Sequence, residues 1–344
     1  MPFRRLRIAY VSSPEAPNGW YRGMGPMIAL AQRGHEVRQV WWPGERFRED
    51  LVAGCDVLHI HRRHDDRLWR LVRSAKAAGM GVVWDNDDDM TSVPKNNAAY
   101  KTYGGARGAR VVSEVRRIVR AADLVTTPSR RLADIYTASG AERVEVVENF
   151  VRDESIDVCA AGNGDRVVVG WIAGREHHVD VEQLPIRAVL ERLLAEQRNV
   201  EVVSIGVGLG IRDPRYRHRP SVRFAELDRA VAELDVGIAP LSDIAMNRAR
   251  SNVKLKEYAI AGVPWLASPI GPYVGLGEKQ GGRLVADGEW HSALTQLVVD
   301  RADRRALAKR AREWGRQQTI SANVAQWERL LLETVARPRS EQVA

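Results

Sequence analysis

Short runs of apolar, β-branched residues alternate with amphipathic stretches along most of this chain. Runs such as LRIAYVSS, CDVLHIHR and GVVWDNDD predict buried strands, and stretches such as GPMIALAQRGHEV and DRLWRLVRSAKAAG predict helices between them. Strands that alternate with helices are typical of doubly wound α/β proteins with parallel sheets. The pattern therefore predicts an α/β fold.

A polar stretch, VRDESIDVCAAGNGD, interrupts this alternation at residues 151–165, and a second series begins with RVVVGWIAG. A chain of 344 residues is also too long for one comfortable core. We therefore predict two Rossmann-like domains that face each other across a cleft, with ligands at the carboxyl ends of the strands. The predicted boundaries are 1–150 for the first domain, 151–165 for the linker, 166–320 for the second domain, and 321–344 for a last helix and tail.

Charge and cysteine content narrow the class of protein. Lysine and arginine number 52 against 44 acidic residues, a formal net charge of +8, which favours anionic partners such as nucleotides, phosphates, nucleic acid or a membrane surface. No run approaches the ~20 apolar residues of a membrane span. Cys55 and Cys159 lack metal-ligand spacing and suit a reducing compartment. The expectation is a cytoplasmic protein.

The stretch SNVKLKEYAIAGVPWLAS predicts a helix with Ser251 as its N-cap. Free amides at a helix start attract anions, and here they belong to Asn252, Val253 and Lys254. Glu257 lies roughly 7–8 Å further along the helix axis, within reach of a ribose attached to a bound diphosphate. An ordinary Lys–Glu ion pair on the surface is the alternative interpretation.

The stretch GWIAGREHHVD ends a predicted strand at Gly174. Arg175 follows at once, and its planar guanidinium suits a diphosphate leaving group. His177, His178 and Asp180 lie in the same loop, where we expect phosphate or sugar contacts; solvated histidines are the alternative. A metal site is disfavoured, because no further ligands stand at useful spacing.

In the first half, the glycine-containing loop SSPEAPNGWYRGMGP does not match the dinucleotide fingerprint G-x-G-x-x-G. Hydride transfer with a nicotinamide cofactor is therefore disfavoured, and no cofactor is expected. Trp20, Tyr21 and Arg22 are candidates to stack on, or hydrogen-bond, a ligand on the acceptor side. A flexible loop without a ligand is the alternative.

The stretch WDNDDDM closes the fourth strand with Asp85, Asp87, Asp88 and Asp89. Four carboxylates buried together would repel one another, so we expect them to face water, a cation or a polar ligand. Asp87 or Asp88 could orient an acceptor hydroxyl or act as a base. A solvated turn is the alternative, and Mg²⁺ is possible although neighbouring aspartates on a strand point to opposite faces.

Two arginine-rich segments, IRDPRYRHRPSVRF and DRADRRALAKRAREWGR, raise the question of nucleic-acid or membrane binding. They lack the ordered aromatic residues of a platform for single strands. Solvated basic faces are therefore the favoured interpretation.

Several motifs in this order resemble glycosyltransferases of the GT-B fold, in particular the large family that retains anomeric configuration. LAQRGHEV, ADLVTTPSRRLADIY, VEVVENFV and VGWIAGREHHVD are similar to successive family segments. The donor-helix pattern K-x-x-E-Y-x-x-x-G-x-P is matched at Lys254, Glu257, Tyr258, Gly262 and Pro264. The last helix, with Trp327, is placed like the family's C-terminal helix, which crosses back to the first domain.

The resemblance implies transfer of a sugar from a nucleoside-diphosphate donor, with retention and without a metal. It implies that Glu257 holds the donor ribose, that the helix start at 251–254 holds the diphosphate, and that Arg175 offsets the charge of the departing group. Arg175, Lys254 and Asp88 form the predicted catalytic set. An acceptor would arrive near residues 20–22 and 85–89.

Two departures from the family pattern stand out. The family often carries an acid eight residues before the ribose glutamate, where this chain has Ala249, and a lysine common shortly after the arginine is missing unless Lys254 covers its role. Three other functions stay open: transfer to a nucleic-acid base, epimerisation of a nucleotide-sugar, and donor binding without catalysis.

Overall fold

The computed structural model describes residues 4–12, 17–41, 46–97, 99–160, 162 and 164–336. These residues form two compact units. The first unit contains the described residues up to Asp89, residues Ala109–Asn149 and those from Ile320 onward; the second contains Met90–Gly108 and Phe150–Thr319. Parts of the predicted glycine loop (13–16), of the linker (161 and 163) and of the predicted tail (337–344) lie outside the described residues.

The first unit is built on a parallel sheet that has six strands within the described residues, in the order β2-β1-β3-β4-β5-β6. Its strands are β1 Arg7–Val11, β2 Glu36–Trp41, β3 Val57–His61, β4 Gly81–Asp85, β5 Leu124–Thr127 and β6 Val144–Val146. The reversal of strand order falls between β1 and β3, and a doubly wound sheet binds ligands beside such a reversal.

Helices cover this sheet, and their ends follow capping rules. Asp65 caps the helix Asp66–Ala77 by accepting a hydrogen bond from the Leu68 amide at 3.1 Å. Ser129 caps Arg130–Ala138 in the same way. The other long helices of the unit are Gly25–Gln32, Gly105–Ala121, whose first residues lie in the second unit, and Ile320–Ala336.

The second unit repeats the architecture with the order β12-β11-β10-β7-β8-β9, again parallel. Its strands are β7 Val167–Ala173, β8 Val200–Gly206, β9 Tyr216–Arg219, β10 Val236–Ala239, β11 Trp265–Ala267 and β12 Gly282–Leu284. Its helices are Tyr100–Tyr103, His178–Gln183, Ile186–Glu196, Leu227–Ala232, Ala245–Arg248, Val253–Ile260, Trp290–Val299 and Arg301–Gly315. Apolar clusters fill both faces of the sheet, and the reversal lies between β7 and β10.

These two parallel sheets confirm the predicted α/β class with two Rossmann-like halves. Three details differ from the sequence analysis. The apolar spacing of residues 181–197 predicts one helix, but the structure has two, His178–Gln183 and Ile186–Glu196, because Pro185 cannot donate a backbone hydrogen bond within a helix. The strand β9 and the helix Trp290–Val299 were not predicted.

The segment Met90–Gly108 is also unexpected, since it follows β4 of the first unit but packs within the second. Its buried Asn97 donates a hydrogen bond to the backbone oxygen of Glu176 at 3.3 Å. Asn96 donates to Glu182 at 2.6 Å. The segment therefore covers the loop that follows β7. Within the described ranges no helix is long and apolar enough to cross a membrane.

Candidate functional site

β7 and β10 are parallel neighbours at the strand reversal of the second sheet, with Val236 paired to Val169 and Gly237 to Gly170, so their carboxyl ends lie at the same edge. The loop Gly174–His177 leaves β7 and leads into the helix His178–Gln183, which carries Asp180. The loop from Pro240 leads from β10 into the short helix Ala245–Arg248. Loops at such a position form the ligand site of open α/β sheets. This edge is therefore the candidate donor site.

Asp180 connects these two loops. Its carboxylate is 1% exposed and accepts hydrogen bonds from the Ser242 amide (2.8 Å), the Ser242 hydroxyl (2.7 Å) and Asn247 Nδ2 (2.7 Å). Burial would raise the pKa of Asp180, but the hydrogen bonds from His177 and Ser242 outweigh that effect and lower it. Asp180 is thus an ionised carboxylate that fixes the shape of the edge.

His177 is held by this network. Its Nδ1 lies 2.7 Å from Asp180 Oδ2, and its ring stands edge-on to Trp171 at 5.7 Å between centroids. Burial lowers the pKa of His177, and the charge of Arg250 lowers it further. A neutral imidazole beside an ionised carboxylate carries its proton on the nitrogen that faces the carboxylate, so Nδ1 donates to Asp180 and Nε2 carries the lone pair.

Glu176 lies above this network. A Cβ atom added to Gly174 would collide with the Glu176 carboxylate, so that carboxylate rests against the Gly174 backbone. Its Oε1 is 4.0 Å from Arg250 Nη1. Burial would raise the pKa of Glu176, but the neighbouring positive charges, including those of Arg250 and Lys254, lower it. A negative group of the protein therefore lies among the cations of the candidate donor site.

The donor helix begins at Val253, and Asn252 is its N-cap, without a side-chain capping bond. The prediction that Ser251 caps the helix is therefore wrong by one residue. The predicted ion pair does exist, with Lys254 Nζ 2.9 Å from Glu257 Oε2. It is not a surface pair, however, because the two side chains are 20% and 7% exposed. A carboxylate so enclosed has a role that a solvated ion pair does not explain.

Arg175 is placed differently from these paired groups. Its side chain is exposed and makes no hydrogen bond or ion pair with any residue that the structure describes. Ala249, at the position where the resemblance implies an acid, is 1% exposed. A carboxylate there would have to lose its hydration.

In the first unit, Arg22 and Asp85 form an ion pair in which both side chains are 0% exposed. Arg22 Nη2 is 2.5 Å from Asp85 Oδ2, and Nε is 3.0 Å from Oδ1. Arg22 also donates to Asn149 Oδ1 at 3.1 Å and lies 5.0 Å from the Trp327 ring centre. The expectation that Asp85 faces water or a ligand is wrong, since Arg22 neutralises it inside the core.

The same finding corrects the expected ligand contact of Arg22. Trp20 and Tyr21 are buried beside it, with their rings edge-to-face at 5.6 Å. All three residues lie around a π-helical turn, Trp20–Met24, which directs Arg22 toward Asp85. These side chains support the edge of the first sheet from within.

Asp87 remains at that edge, beside His61. Ser12 Oγ is 3.4 Å from His61 Nδ1, and His61 Nε2 is 3.4 Å from Asp87 Oδ1. Burial would raise the pKa of Asp87, but Arg62 and His61 outweigh it and hold that pKa well below its usual range. Asp87 is therefore a hydrogen-bond acceptor at neutral pH and a poor base.

Asp88 and Arg62 form a second ion pair, and Arg62 holds a left-handed backbone at φ 63°. A bulky residue in that conformation is strained, and such strain concentrates at functional sites. Asp88 is about one-third exposed, so among the predicted carboxylates it is the accessible one. Among the residues described, no three His, Cys, Asp or Glu side chains come together as a metal site.

His59, two residues before His61 on β3, is fully buried, and neither ring nitrogen has a hydrogen-bond partner among the described residues. Burial lowers the pKa of His59 to about 4. Its ring lies edge-to-face with Trp327 at 5.5 Å. It is therefore a neutral core residue, packed beneath the last helix.

Most arginines of the two basic segments are paired with acids or backbone oxygens. Arg215 binds Asp213, Arg217 binds Glu201 and Arg223 binds Glu226. In the second segment Arg304 donates to backbone oxygens of residues 297 and 298. Arg217 and Arg223 are nevertheless 52% and 83% exposed, in agreement with the predicted solvated basic faces. Their pairing with acids reduces the positive charge available to an external polyanion.

Sequence reasoning missed Ser242, Asn247, Arg250 and His61 as members of the two edges. Asn247 lies 67 positions from Asp180, and no local pattern indicates that contact. A usable signal exists for His61, which ends a buried strand as His59-Ile-His61 and so places two imidazoles on one face of the sheet.

No protein-family model matches the sequence, and no curated protein sequence matches it. Solved structures do resemble it. An α-glucosyltransferase in complex with UDP-glucose and DNA containing an abasic site has a TM-score of 0.69 at 12% identity, covering 96% of this chain and 100% of that one. Anabaena HepE in complex with UDP and glucose has a TM-score of 0.63 at 14% identity, with coverages of 96% and 100%.

A third similar structure is that of a Listeria monocytogenes protein proposed to be a UDP-N-acetylglucosamine 2-epimerase. Its TM-score is 0.57 at 11% identity, and the coverages are 99% of this chain and 100% of that one. At such low identities the likeness concerns the fold. Over nearly the whole chain, that fold is the GT-B fold of nucleotide-sugar glycosyltransferases.

Proposed function

We propose that this protein transfers a sugar from a nucleoside-diphosphate-sugar donor to an acceptor. The observation that carries the proposal is the buried Glu257 on a helix whose start, with Lys254, lies in the second unit after the β10 edge. A helix start and an ammonium group attract a diphosphate, and an enclosed carboxylate accepts hydrogen bonds from vicinal hydroxyls. The GT-B fold and neighbours in complex with UDP or UDP-glucose support the same proposal.

In the proposed reaction, a bond forms between an acceptor atom and the anomeric carbon while the bond from that carbon to the diphosphate oxygen breaks. The departing diphosphate takes the bonding electrons, so its charge must be stabilised. Arg175, exposed and unpaired among the described residues, and Lys254 are the proposed cations for this task. With them and the helix dipole, the proposed mechanism needs no metal.

The proposed acceptor site is the edge of the first sheet that carries Asp87 and Asp88. Because the pKa of Asp87 is held low, its proposed role is to orient the acceptor by accepting a hydrogen bond. Asp88, which is more exposed, is the proposed base, which takes the proton that the acceptor loses as the new bond forms. Retention at the anomeric carbon is the proposed stereochemical outcome, and NMR of the product's anomeric proton tests it.

A thermal-shift screen against nucleoside diphosphates and their sugars tests the proposed donor. A ligand at about 100 times its Kd stabilises the native state by about 2.7 kcal/mol, which corresponds to a rise in Tm of about 5 °C. We expect one nucleotide base to give such a rise, with nucleoside monophosphates giving less because they lack the second phosphate. A screen in which no nucleoside diphosphate raises the Tm would contradict the proposal.

Two other functions share this fold. Transfer to a nucleic-acid base is suggested by the net charge of +8 and by the neighbour in complex with DNA, although the pairing of the basic segments weakens it. Salt-dependent DNA or RNA binding would favour it. Epimerisation is suggested by the Listeria neighbour, and formation of a new nucleotide-sugar without any acceptor would identify it.

Replacing Glu176 by glutamine is expected to strengthen nucleoside-diphosphate binding. The Glu176 carboxylate lies against Gly174 near Arg250, where it competes with an incoming anion. Removing one negative charge near a bound anion is worth on the order of 1 kcal/mol, or roughly fivefold in Kd. Isothermal titration measures the change. Glu182→Gln, which alters an exposed acid bound to Asn96 in the same unit, is the matched control and should leave Kd unchanged.

A further inference from the structure

The two ring nitrogens of His177 differ in their hydrogen bonding: Nδ1 has a partner and Nε2 has none. The ring is 7% exposed, and its Nδ1 is held by Asp180 at 2.7 Å. Nε2 makes no hydrogen bond with any residue in the described part of the chain. A ring nitrogen that has a lone pair and no protein partner is open to a hydrogen-bond donor on a ligand.

The polar atom nearest to Nε2 for which the structure gives a distance cannot supply that hydrogen. Glu176 Oε1 lies 3.9 Å away, beyond hydrogen-bond distance, and an ionised carboxylate is an acceptor. The cation nearby, Arg250, is turned to other partners, with Nε donating to Asn247 Oδ1 at 2.9 Å. A donor for Nε2 therefore comes from outside the protein, either from water or from a bound ligand.

The tautomer limits what that partner is. Asp180 already accepts three hydrogen bonds from Ser242 and Asn247, and it stays ionised, so Nδ1 keeps the ring proton and Nε2 stays an acceptor. A diphosphate bridging to a sugar carries no proton at neutral pH and cannot donate. A hydroxyl or an N–H group can.

We propose that His177 Nε2 accepts a hydrogen bond from a hydroxyl of the donor's transferred sugar and so helps to select that sugar. The ribose is assigned to Glu257 on the donor helix. His177 follows Gly174 and Arg175 in the chain, and Arg175 is the proposed cation for the diphosphate as it leaves the anomeric carbon. The group just beyond that bond is the transferred sugar. This inference rests on the proposed donor function and adds a specificity-determining residue to it.

The test compares the native protein with His177→Phe, which keeps an aromatic ring beside Trp171 and removes both nitrogens. The probes are UDP, UDP-glucose and the four UDP-glucose analogues that each lack one hydroxyl at C2, C3, C4 or C6. Kd is measured by titration. For native protein, we expect one deoxy analogue to bind roughly threefold to tenfold more weakly than UDP-glucose, the size of one neutral hydrogen bond.

In His177→Phe, the affinity for UDP-glucose should fall by a similar factor, and loss of that same hydroxyl should have no further effect. Such non-additivity is the signature of a direct contact, which a merely structural role would not produce. UDP affinity should be unchanged. His291→Phe, on the helix Trp290–Val299 beside Glu196, is the matched control and should respond to every analogue like the native protein.

Each other result overturns the inference. Equal weakening of UDP and UDP-glucose in His177→Phe would place the contact at the nucleotide or in the scaffold. Unchanged binding of every probe would show that Nε2 contacts no ligand. If the native protein binds UDP but shows no preference among the analogues, the sugar contact is wrong while the donor function stands. If it binds no nucleoside diphosphate or nucleotide-sugar, the sugar contact and the proposed donor function are both wrong.

Discussion

Replacing Glu257 by glutamine is expected to weaken nucleoside-diphosphate binding by roughly tenfold or more, the range of hydrogen bonds to a charged group. Glutamine keeps the size of the side chain but removes the charge that two ribose hydroxyls would share. The side chain is 7% exposed, so water cannot replace the lost acceptor easily. Titration with the nucleoside diphosphate found in the screen measures the change in Kd.

The Lys254 pair introduces an opposing effect. Without the carboxylate, the Lys254 ammonium, at present 2.9 Å from Glu257, is free to bind phosphate more strongly. Pyrophosphate, which lacks a ribose, separates the two contributions: its affinity should stay constant or rise, while that of the nucleotide falls. The control is Glu278→Gln, which removes a half-exposed carboxylate bound to Arg283 in the same unit. Nucleotide binding by Glu257→Gln at native strength would remove the ribose assignment.

Replacing Arg22 by methionine is expected to destabilise the first unit by about 3–5 kcal/mol, because Asp85 would be left as a buried charge without a partner. The pair is 0% exposed on both sides, so solvent does not compensate. Arg22 also holds the backbone oxygen of Val147, which loses its donor. The urea-induced unfolding transition of the first unit measures the decrease in its free energy of unfolding.

Two comparisons give this prediction its specificity. The double replacement of Arg22 by methionine and Asp85 by leucine removes both charges and should recover part of the loss, since paired charges and apolar residues of similar size are often equivalent. Arg48→Met breaks a surface pair with Asp50, whose side chains are 54% and 62% exposed, and should cost less than about 1 kcal/mol. If Arg22→Met had the same free energy of unfolding as the native protein, the ion pair would not support the fold.

Much of the fold could be predicted because most strands are buried on both faces and therefore appear as continuous apolar runs. The strand β9 breaks this rule: its sequence, YRHR, lies at the sheet edge, with its central residues exposed. Edge position removes the apolar signal. The helix Trp290–Val299 was missed for a related reason, since no side-chain cap marks its start.

In the candidate site, likewise, local relations between residues could be predicted and long-range contacts could not. Lys254 and Glu257 belong to one helical turn, so their relation is a local pattern that a sequence displays. Asp180 and Asn247 are 67 positions apart, and Arg22 and Asp85 are 63 apart. Long-range contacts of this kind decide whether an aspartate faces solvent or an arginine. For this reason the sequence predicts an exposed Asp85, whereas the structure buries it.

The order in which residues belong to the two units has a consequence for synthesis on the ribosome. The chain passes from one unit to the other at 89/90, 108/109, 149/150 and 319/320. The helix Ile320–Ala336 is made after the second unit, yet its Trp327 lies over Arg22 and beside His59, which are made before that unit. Domains generally complete in order from the N-terminus. Here the first unit stays open, with an arginine and a histidine of its core uncovered, until the second unit has been translated.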